Sequence, residues 1–326
     1  MSAAPRPQTS PEEMERIRAI FQALMDRRPA QPLDRPAVVT AYEQALDMLG
    51  AAYGDHFRRN LRSDPPAAWT EAVAWQCFRQ LGWTCARYED PSAGGPDFVF
   101  QRDGQQILVE CTCLTEQALN EASGLVPAQF TQMQYRDPIA PRVRTTVSNK
   151  TSQIGQTKFP GPRLVVIATH DTTFPYMNAS LAEDLVAETE SVSVRFSGGV
   201  DTSTPVTTLA GSALFRPGGD GIAEARHSIS GIVLMNAGGT AVHICGIINP
   251  HAHYPLQPEA LPQVPWLTVT NHPTTDQAVA MSWVWLDQSQ ARILPNVREL
   301  MLSFDGSAAH PAMTVYPRAD LRRGVR

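Results

Sequence analysis

The sequence contains no apolar run of about 18 residues, the length that a transmembrane helix needs. Its first ten residues, MSAAPRPQTS, lack the basic and then apolar order of a secretory signal. Cysteine is scarce, and the 5 cysteines are an odd number at irregular spacing, which does not indicate a disulfide framework. These absences predict a cytoplasmic protein that has no membrane partner.

Lysine is even scarcer, since the chain contains only Lys150 and Lys158. The formal net charge is -5, so the charge of the whole chain does not indicate nucleic-acid binding. Between residues 129 and 169, however, Asp137 is the only acid and all other charged residues are basic. Exposed basic side chains attract phosphates over roughly 8–10 Å at physiological salt. This segment is therefore a candidate contact for a nucleic-acid backbone, and the alternative interpretation is a solvated surface.

The pattern of apolar residues and prolines predicts three regions. Residues 1–63 are expected to be a helical N-terminal region, in which helices at 11–27 and 37–61 are separated by prolines. Residues 64–250 form the predicted core. Residues 251–326 form a proline-rich C-terminal extension that is expected to pack on this core.

Within the core, apolar runs and turn signals predict strands interspersed with helices. Asp103-Gly104 lies between two runs of β-branched and aromatic residues, which is a strong hairpin signal. The expected strands are 84–88, 97–101, 106–114, 164–169, 231–236 and 241–248, and the expected helices are 67–81, 145–158 and 178–192. These elements predict an α/β fold in which a central mixed β-sheet is flanked by helices.

The segment GGPDFVFQRDGQQILVECTCL, residues 94–114, contains two carboxylates that indicate metal chemistry. Because side chains alternate along a strand, Glu110 and Thr112 project to one side and Cys111 to the other. Asp97 begins the preceding antiparallel strand, where the hairpin can bring it beside Glu110. Two such carboxylates make an oxygen site of the kind that holds Mg²⁺ with water and substrate phosphate. The alternative is a turn role for Asp97, whereas a carboxylate among apolar neighbours, as at Glu110, is unusual without a functional reason.

This pattern resembles the PD-(D/E)XK nuclease superfamily over roughly residues 64–171. Pro96-Asp97 matches the Pro-Asp of the motif, and Glu110-Cys111-Thr112 occupies its (Asp/Glu)-X-Lys. The resemblance implies a restriction-endonuclease-like core and a nuclease that hydrolyses phosphodiester bonds. It further implies that Asp97, Glu110 and the carbonyl of Cys111 hold Mg²⁺, for which Mn²⁺ can substitute, and that Glu71 on the preceding helix completes the metal site.

The sequence departs from this motif at Thr112, which stands where the superfamily usually has lysine. That lysine orients the attacking water and balances developing negative charge, and threonine supplies no charge. In some members of the superfamily the lysine has moved to a neighbouring helix. Lys150 lies on the predicted helix that follows the hairpin, so it could replace the missing charge. The alternative is that both lysines of the chain are surface residues or phosphate contacts.

The resemblance also implies the partner, which is nucleic acid, expected to be DNA, in restriction or another defence against foreign DNA. The side chains predicted to contact its backbone are Arg136, Arg142, Arg144, Gln153 and Lys158. Cutting both strands of a duplex would need two sites, which is consistent with a homodimer.

Two other functions remain open on the sequence. A catalytically inactive nuclease fold that only binds nucleic acid is consistent with Thr112 in the lysine position. A metal-dependent hydrolase could instead be centred on His251 and His253, because a His-X-His after a strand can bind a catalytic metal. Such a site would need further ligands, with His243, His272 and Asp276 as candidates, and exposed loop histidines are the simpler interpretation.

Overall fold

The computed structural model describes residues 59–60, 63–90, 94–115, 136–169, 179–190, 193–196, 199–202, 206–208, 212–217, 223–237, 241–270, 281–287, 290–294, 297–305 and 312–317. The predicted helices at 11–27 and 37–61 lie outside these residues, apart from 59 and 60. Among the residues with described placement, no helix is both long and apolar enough to cross a membrane.

The helices begin and end at residues that the sequence explains. Those with described bounds are α1 (Pro65–Gln80), α2 (Arg136–Gly155), α3 (Ala179–Val186) and the 3-10 helix Pro258–Ala260. At the start of α1 the Ala67 amide donates to the Asp64 carboxylate at 3.2 Å, which satisfies a backbone donor of the first turn. The chain then turns away at Gly82, whose φ of +86° is a left-handed conformation that glycine adopts without strain.

The described strands form one large mixed sheet and three short two-stranded ribbons. They are β1 (Thr84–Asp90), β2 (Gly94–Arg102), β3 (Gln105–Cys113), β4 (Arg163–Thr169), β5 (Glu188–Glu190), β6 (Ser193–Phe196), β7 (Gly199–Thr202), β8 (Val206–Thr208), β9 (Phe215–Pro217), β10 (Ala223–Ala225), β11 (Gly231–Asn236), β12 (Ala241–Ile248), β13 (Trp266–Val269), β14 (Met281–Asp287), β15 (Gln290–Leu294), β16 (Val297–Asp305) and β17 (Ala312–Pro317). The large sheet has 11 strands, in the order β1-β2-β3-β4-β11-β12-β13-β14-β15, with β16 on β12 and β17 on β16. The predicted α/β class with a mixed sheet is confirmed.

The sheet changes from antiparallel to parallel pairing directly after the β2–β3 hairpin. β1, β2 and β3 are antiparallel neighbours, whereas β4 runs parallel to both β3 and β11. β11 and β12 have the bounds that the sequence predicts and extend this sheet as an antiparallel pair. β3 is therefore an internal strand whose two faces are both covered.

Two apolar clusters cover the two faces of the sheet. One contains Phe98, Phe100 and Val109 together with the inward residues of α1. The other contains Val99 and Leu108 together with residues of α2 and α3. Alternate residues of β2 and β3 thus belong to opposite layers, as the two-residue period of a strand requires.

Two parts of the chain differ from the sequence-based expectations. The helix predicted at 178–192 is wrong beyond Val186, because residues 188–190 form β5 and pair with β8 instead. Partner strands outweigh local helical preference when pairing is available. The extension at 251–326 contributes β13 to β17 to the large sheet itself, so the boundary at residue 250 does not coincide with an edge of the sheet.

Candidate active site

β2 and β3 stop pairing at the point where the two motif carboxylates lie. The register of the hairpin ends with Phe98 opposite Val109. One step beyond, the backbone amide of Cys111 donates to Asp97 Oδ2 at 2.5 Å. This hydrogen bond fixes the Asp97 carboxylate beside the backbone of β3, next to Glu110.

Asp97 and Glu110 project to the same face of the sheet. Phe98 and Val109 pack in the layer with α1, so the residues adjacent to them in each strand point to the opposite layer, which contains α2. The charge of Glu110 raises the pKa of Asp97, as expected for two carboxylates on one face. Had they faced opposite layers, they could not share a ligand.

Lys150 of α2 reaches into this face of the sheet. Its Nζ lies 3.0 Å from Glu110 Oε2 and forms both a hydrogen bond and an ion pair with it. The Glu110 side chain is only 2% exposed and that of Lys150 22%. A charge buried this deeply requires a partner, because removing an ion from water costs on the order of several kcal/mol.

Burial is the main influence on the pKa values of the two carboxylates, and neighbouring charges modify it. Burial, with the added charge of Glu110, raises the pKa of Asp97 to about 7 against an opposing effect of Lys150. Burial also raises the pKa of Glu110, and Lys150 again opposes the rise. Burial lowers the pKa of Lys150, but the charges of Asp97 and Glu110 outweigh this effect and leave the pKa raised. The lysine therefore remains a cation at neutral pH, in a site that favours added positive charge.

The carboxylate oxygens are of the chemical type that a hard divalent cation binds. Asp97 uses Oδ2 for the Cys111 amide and Glu110 uses Oε2 for Lys150, and no other described residue bonds to the second oxygen of either carboxylate. No group of three or more His, Cys, Asp or Glu side chains in the described part of the chain has a metal-binding arrangement. Two carboxylate oxygens are nevertheless enough for Mg²⁺, which usually retains several waters and binds through one or two carboxylates plus phosphate.

Cys111 contributes its backbone to this face and its thiol to the other. The side chain is buried in the layer with α1. Burial, reinforced by the charges of Asp97, Glu71 and Glu110, raises the pKa of its thiol well above the ordinary value. A neutral thiol is a poor metal ligand, so the predicted role of Cys111 rests on its carbonyl alone.

Glu71 lies in the second turn of α1, where it is buried at 8% exposure. Its charge raises the pKa of the Cys111 thiol, as do the charges of Asp97 and Glu110. The role of Glu71 as a further metal ligand stays a prediction. Thr112 follows Glu110 by two residues on the same face and lies opposite Ile167 of β4. The structure thus brings Asp97, Glu110 and Lys150 together, with Thr112 on their face.

Glu89 belongs to this region, although the sequence analysis missed it. It lies near the end of β1, where the pairing with β2 shifts register between Tyr88 and Asp90. Its charge raises the pKa of both Asp97 and Glu110. The available signal was position: an acid at the end of the strand that neighbours the Pro-Asp strand.

The side chains predicted to contact nucleic acid lie on α2 or just after it. They are Arg136, Arg142, Arg144, Gln153 and Lys158. Arg144 donates to the Asp184 carbonyl of α3 at 2.9 Å, so it is already engaged in tertiary structure. Arg142 is half-buried, whereas Gln153 and Lys158 are exposed, and the Arg136 side chain lies outside the described part of the structure. Gln153 and Lys158 are therefore the members of the set that a ligand can reach most readily.

The histidine motif serves a structural purpose through its asparagine. Asn249 is fully buried, and its amide nitrogen donates to the carbonyls of Arg226 and Ile229 at 2.8 and 2.9 Å. Its side-chain oxygen accepts the His251 amide at 3.1 Å. His243 lies apart on β12, half-buried, and burial lowers its pKa. Two further candidate ligands, residues 272 and 276, lie outside the described residues.

Comparisons with protein-family models, with curated proteins and with solved structures return no match for this chain.

Proposed function

We propose that the chain is a metal-dependent nuclease that hydrolyses phosphodiester bonds of DNA, with its active site at Asp97, Glu110 and Lys150. The observation that carries the proposal is the position of Lys150 Nζ, 3.0 Å from Glu110 Oε2, on the face that Asp97 shares. A restriction-endonuclease-like core would place these groups together, and the lysine supplies the positive charge that Thr112 lacks.

Asp97, Glu110 and the Cys111 carbonyl would hold Mg²⁺ or Mn²⁺. When bound, the ion would lower the pKa of water and stabilise the charge that develops on the phosphate. Two carboxylates suffice for such an ion, which usually retains several waters.

The side chains around the carboxylates have distinct roles in this proposal. Lys150 is held by Glu110 and would position the nucleophilic water while balancing negative charge on the phosphate. Thr112 would accept a hydrogen bond from that water or donate one to it.

Other residues shape the carboxylate site itself. The Cys111 amide fixes Asp97, and Glu71 and Glu89 add negative potential that favours a cation. Gln153 and Lys158 would contact the phosphate backbone.

The test is cleavage of supercoiled plasmid DNA by the purified full chain with Mg²⁺ or Mn²⁺. We expect nicking or cutting that Glu110→Ala and Asp97→Ala abolish. Lys150→Ala should lower the rate by about 10²–10³-fold, the size of effect seen when a positioned charge-stabilising group is lost. Lys158→Ala is the matched control: it removes the other lysine and should affect DNA affinity more than the cleavage step.

A double variant tests the assignment of the missing charge. In a Lys150→Ala background, Thr112→Lys returns a lysine to the usual motif position on the same face of β3. Partial recovery of cleavage is expected. Thr112→Arg should recover less cleavage, because the planar guanidinium of arginine does not replace the compact ammonium group of lysine.

Other outcomes would favour the alternatives. Intact DNA with every divalent ion, together with binding that weakens steeply as salt rises, would identify a nucleic-acid-binding protein without activity. Metal-dependent hydrolysis that survives Glu110→Ala but not His253→Ala would move the active site to the histidines. Either result would overturn the proposal.

A further inference from the structure

Two histidine rings meet on the surface, and neither belongs to the proposed carboxylate site. His227 lies in the turn before β11 and His253 in the turn after β12, and both are exposed. Their ring centroids are 5.2 Å apart, with the ring planes inclined by 33°. The sequence motif singled out His251 and His253, but the structure pairs His253 with His227.

Backbone hydrogen bonds fix the tautomer of His227. Its Nδ1 lies 2.5 Å from the His251 carbonyl oxygen. A carbonyl oxygen can only accept, so Nδ1 carries the proton and, in the neutral ring, Nε2 has the free lone pair. Metal-ligating histidines are commonly oriented in this way, with the second ring nitrogen donating to a backbone carbonyl.

The loops that carry the two rings are tied to each other. The His253 amide donates to the His227 carbonyl at 2.9 Å, and the His227 ring in turn donates to the His251 carbonyl. The buried Asn249 side chain bonds to backbone on both loops, at Arg226, Ile229 and His251. The two loops and the His227 ring are therefore held in place before any ligand arrives, which reduces the entropic cost of binding one.

The spacing of the rings fits one shared transition-metal ion. Imidazole nitrogen lies about 2.0–2.1 Å from Zn²⁺ in tetrahedral sites, so two bound rings have centroids on the order of 5 Å apart. The observed 5.2 Å agrees with that spacing. The ring of His251 does not join them, because it packs edge-on against Phe215 at 5.9 Å.

We propose that His227 and His253 form a surface site for a borderline divalent transition-metal ion such as Zn²⁺ or Ni²⁺. Imidazole selects these ions over Mg²⁺, which prefers oxygen ligands. The remaining coordination positions face solvent and take water. The ion links the turn before β11 to the turn after β12, and this site is independent of the carboxylates proposed for catalysis.

The test is calorimetric titration of the untagged full chain with Ni²⁺, together with its thermal denaturation. We expect a binding event that His227→Ala and His253→Ala each abolish, and a rise in Tm with Ni²⁺ that both variants lose. His251→Ala is the matched control, because it removes a neighbouring ring while keeping the carbonyl that orients His227. It should bind Ni²⁺ as the unmodified chain does.

Three results would overturn the inference: no binding of Ni²⁺ or Zn²⁺, equal binding by His253→Ala, or loss of binding in His251→Ala alone. His253→Gln provides a second test at an exposed position, where folding is not at risk. An equal Tm for the metal-free variant and the metal-free parent would establish that lost binding is lost ligation rather than unfolding.

Discussion

The two faces of β3 treat buried ionisable groups differently. On the α1 face, Cys111 lies in an apolar cluster, and burial raises the pKa of its thiol so that it remains neutral. On the α2 face, Glu110 is still more buried, but Lys150 stands 3.0 Å away and opposes the rise in its pKa. Burial alone suppresses ionisation, whereas a nearby opposite charge favours it. One strand thus presents a neutral thiol on its α1 face and an ion pair on its α2 face.

The largest expected effect on stability comes from the apolar packing on the α1 face. Phe100 is fully buried and stacks on Phe78 of α1 with ring centroids 4.6 Å apart. Phe100→Ala should lower the free energy of unfolding by about 3–5 kcal/mol, because it removes apolar contact and leaves a cavity. Urea denaturation measures the change. The exposed Gln101→Ala on the same strand is the control and should shift stability by less than about 0.5 kcal/mol.

On the α2 face, removal of the lysine should disrupt the ion pair and lower stability. Lys150→Ala leaves the buried Glu110 without a partner, and we expect a loss of about 3 kcal/mol in the free energy of unfolding. Lys158→Ala removes an exposed lysine and should be nearly neutral. Lys150→Met combined with Glu110→Gln should recover much of the stability, since no unpaired charge remains. Equal stability of Lys150→Ala and Lys158→Ala would contradict the ion pair.

The pH dependence of stability should sharpen the contrast by a smaller amount. Because the folded pKa of Asp97 is raised to about 7 from 3.8, the folded state binds this proton more tightly than the unfolded chain does. The contribution of Asp97 to stability therefore declines as the pH rises from the ordinary carboxyl range through about 7. Tm measured across this range should decline less in Asp97→Asn than in the parent. Mg²⁺ should raise Tm more above neutral pH than below it, provided that the carboxylates bind it.

The smallest effect concerns reactivity rather than stability. The thiolate is the nucleophile in alkylation. Because burial raises the pKa of the Cys111 thiol, Cys111 stays protonated and unreactive. We expect iodoacetamide at mildly alkaline pH to leave Cys111 unmodified in the folded chain and to modify it in urea, as read by peptide mass spectrometry. Rapid labelling of Cys111 in the folded chain would show that the α1 face is open.

Much of the fold was accessible from local patterns. The hairpin at Asp103-Gly104, the bounds of β11 and β12, and the alternation that separates Glu110 from Cys111 all depend on neighbours in the chain. The end of α3 was not accessible, because residues 188–190 pair with a strand that the sequence does not mark. The strands after residue 250 also escaped prediction, since their proline-rich surroundings hide the strand period.

For the candidate site, the candidates can be read from the sequence: two carboxylates on the strands of a predicted hairpin and only two lysines in the whole chain. The packing of α2 on the sheet brings Lys150 rather than Lys158 to Glu110, across 40 residues of sequence. It likewise decided that Glu89 adds to the negative potential and that His227 joins His253. The physical reason is that strand alternation is a local property, whereas these contacts require the packing of helices and loops on a completed sheet.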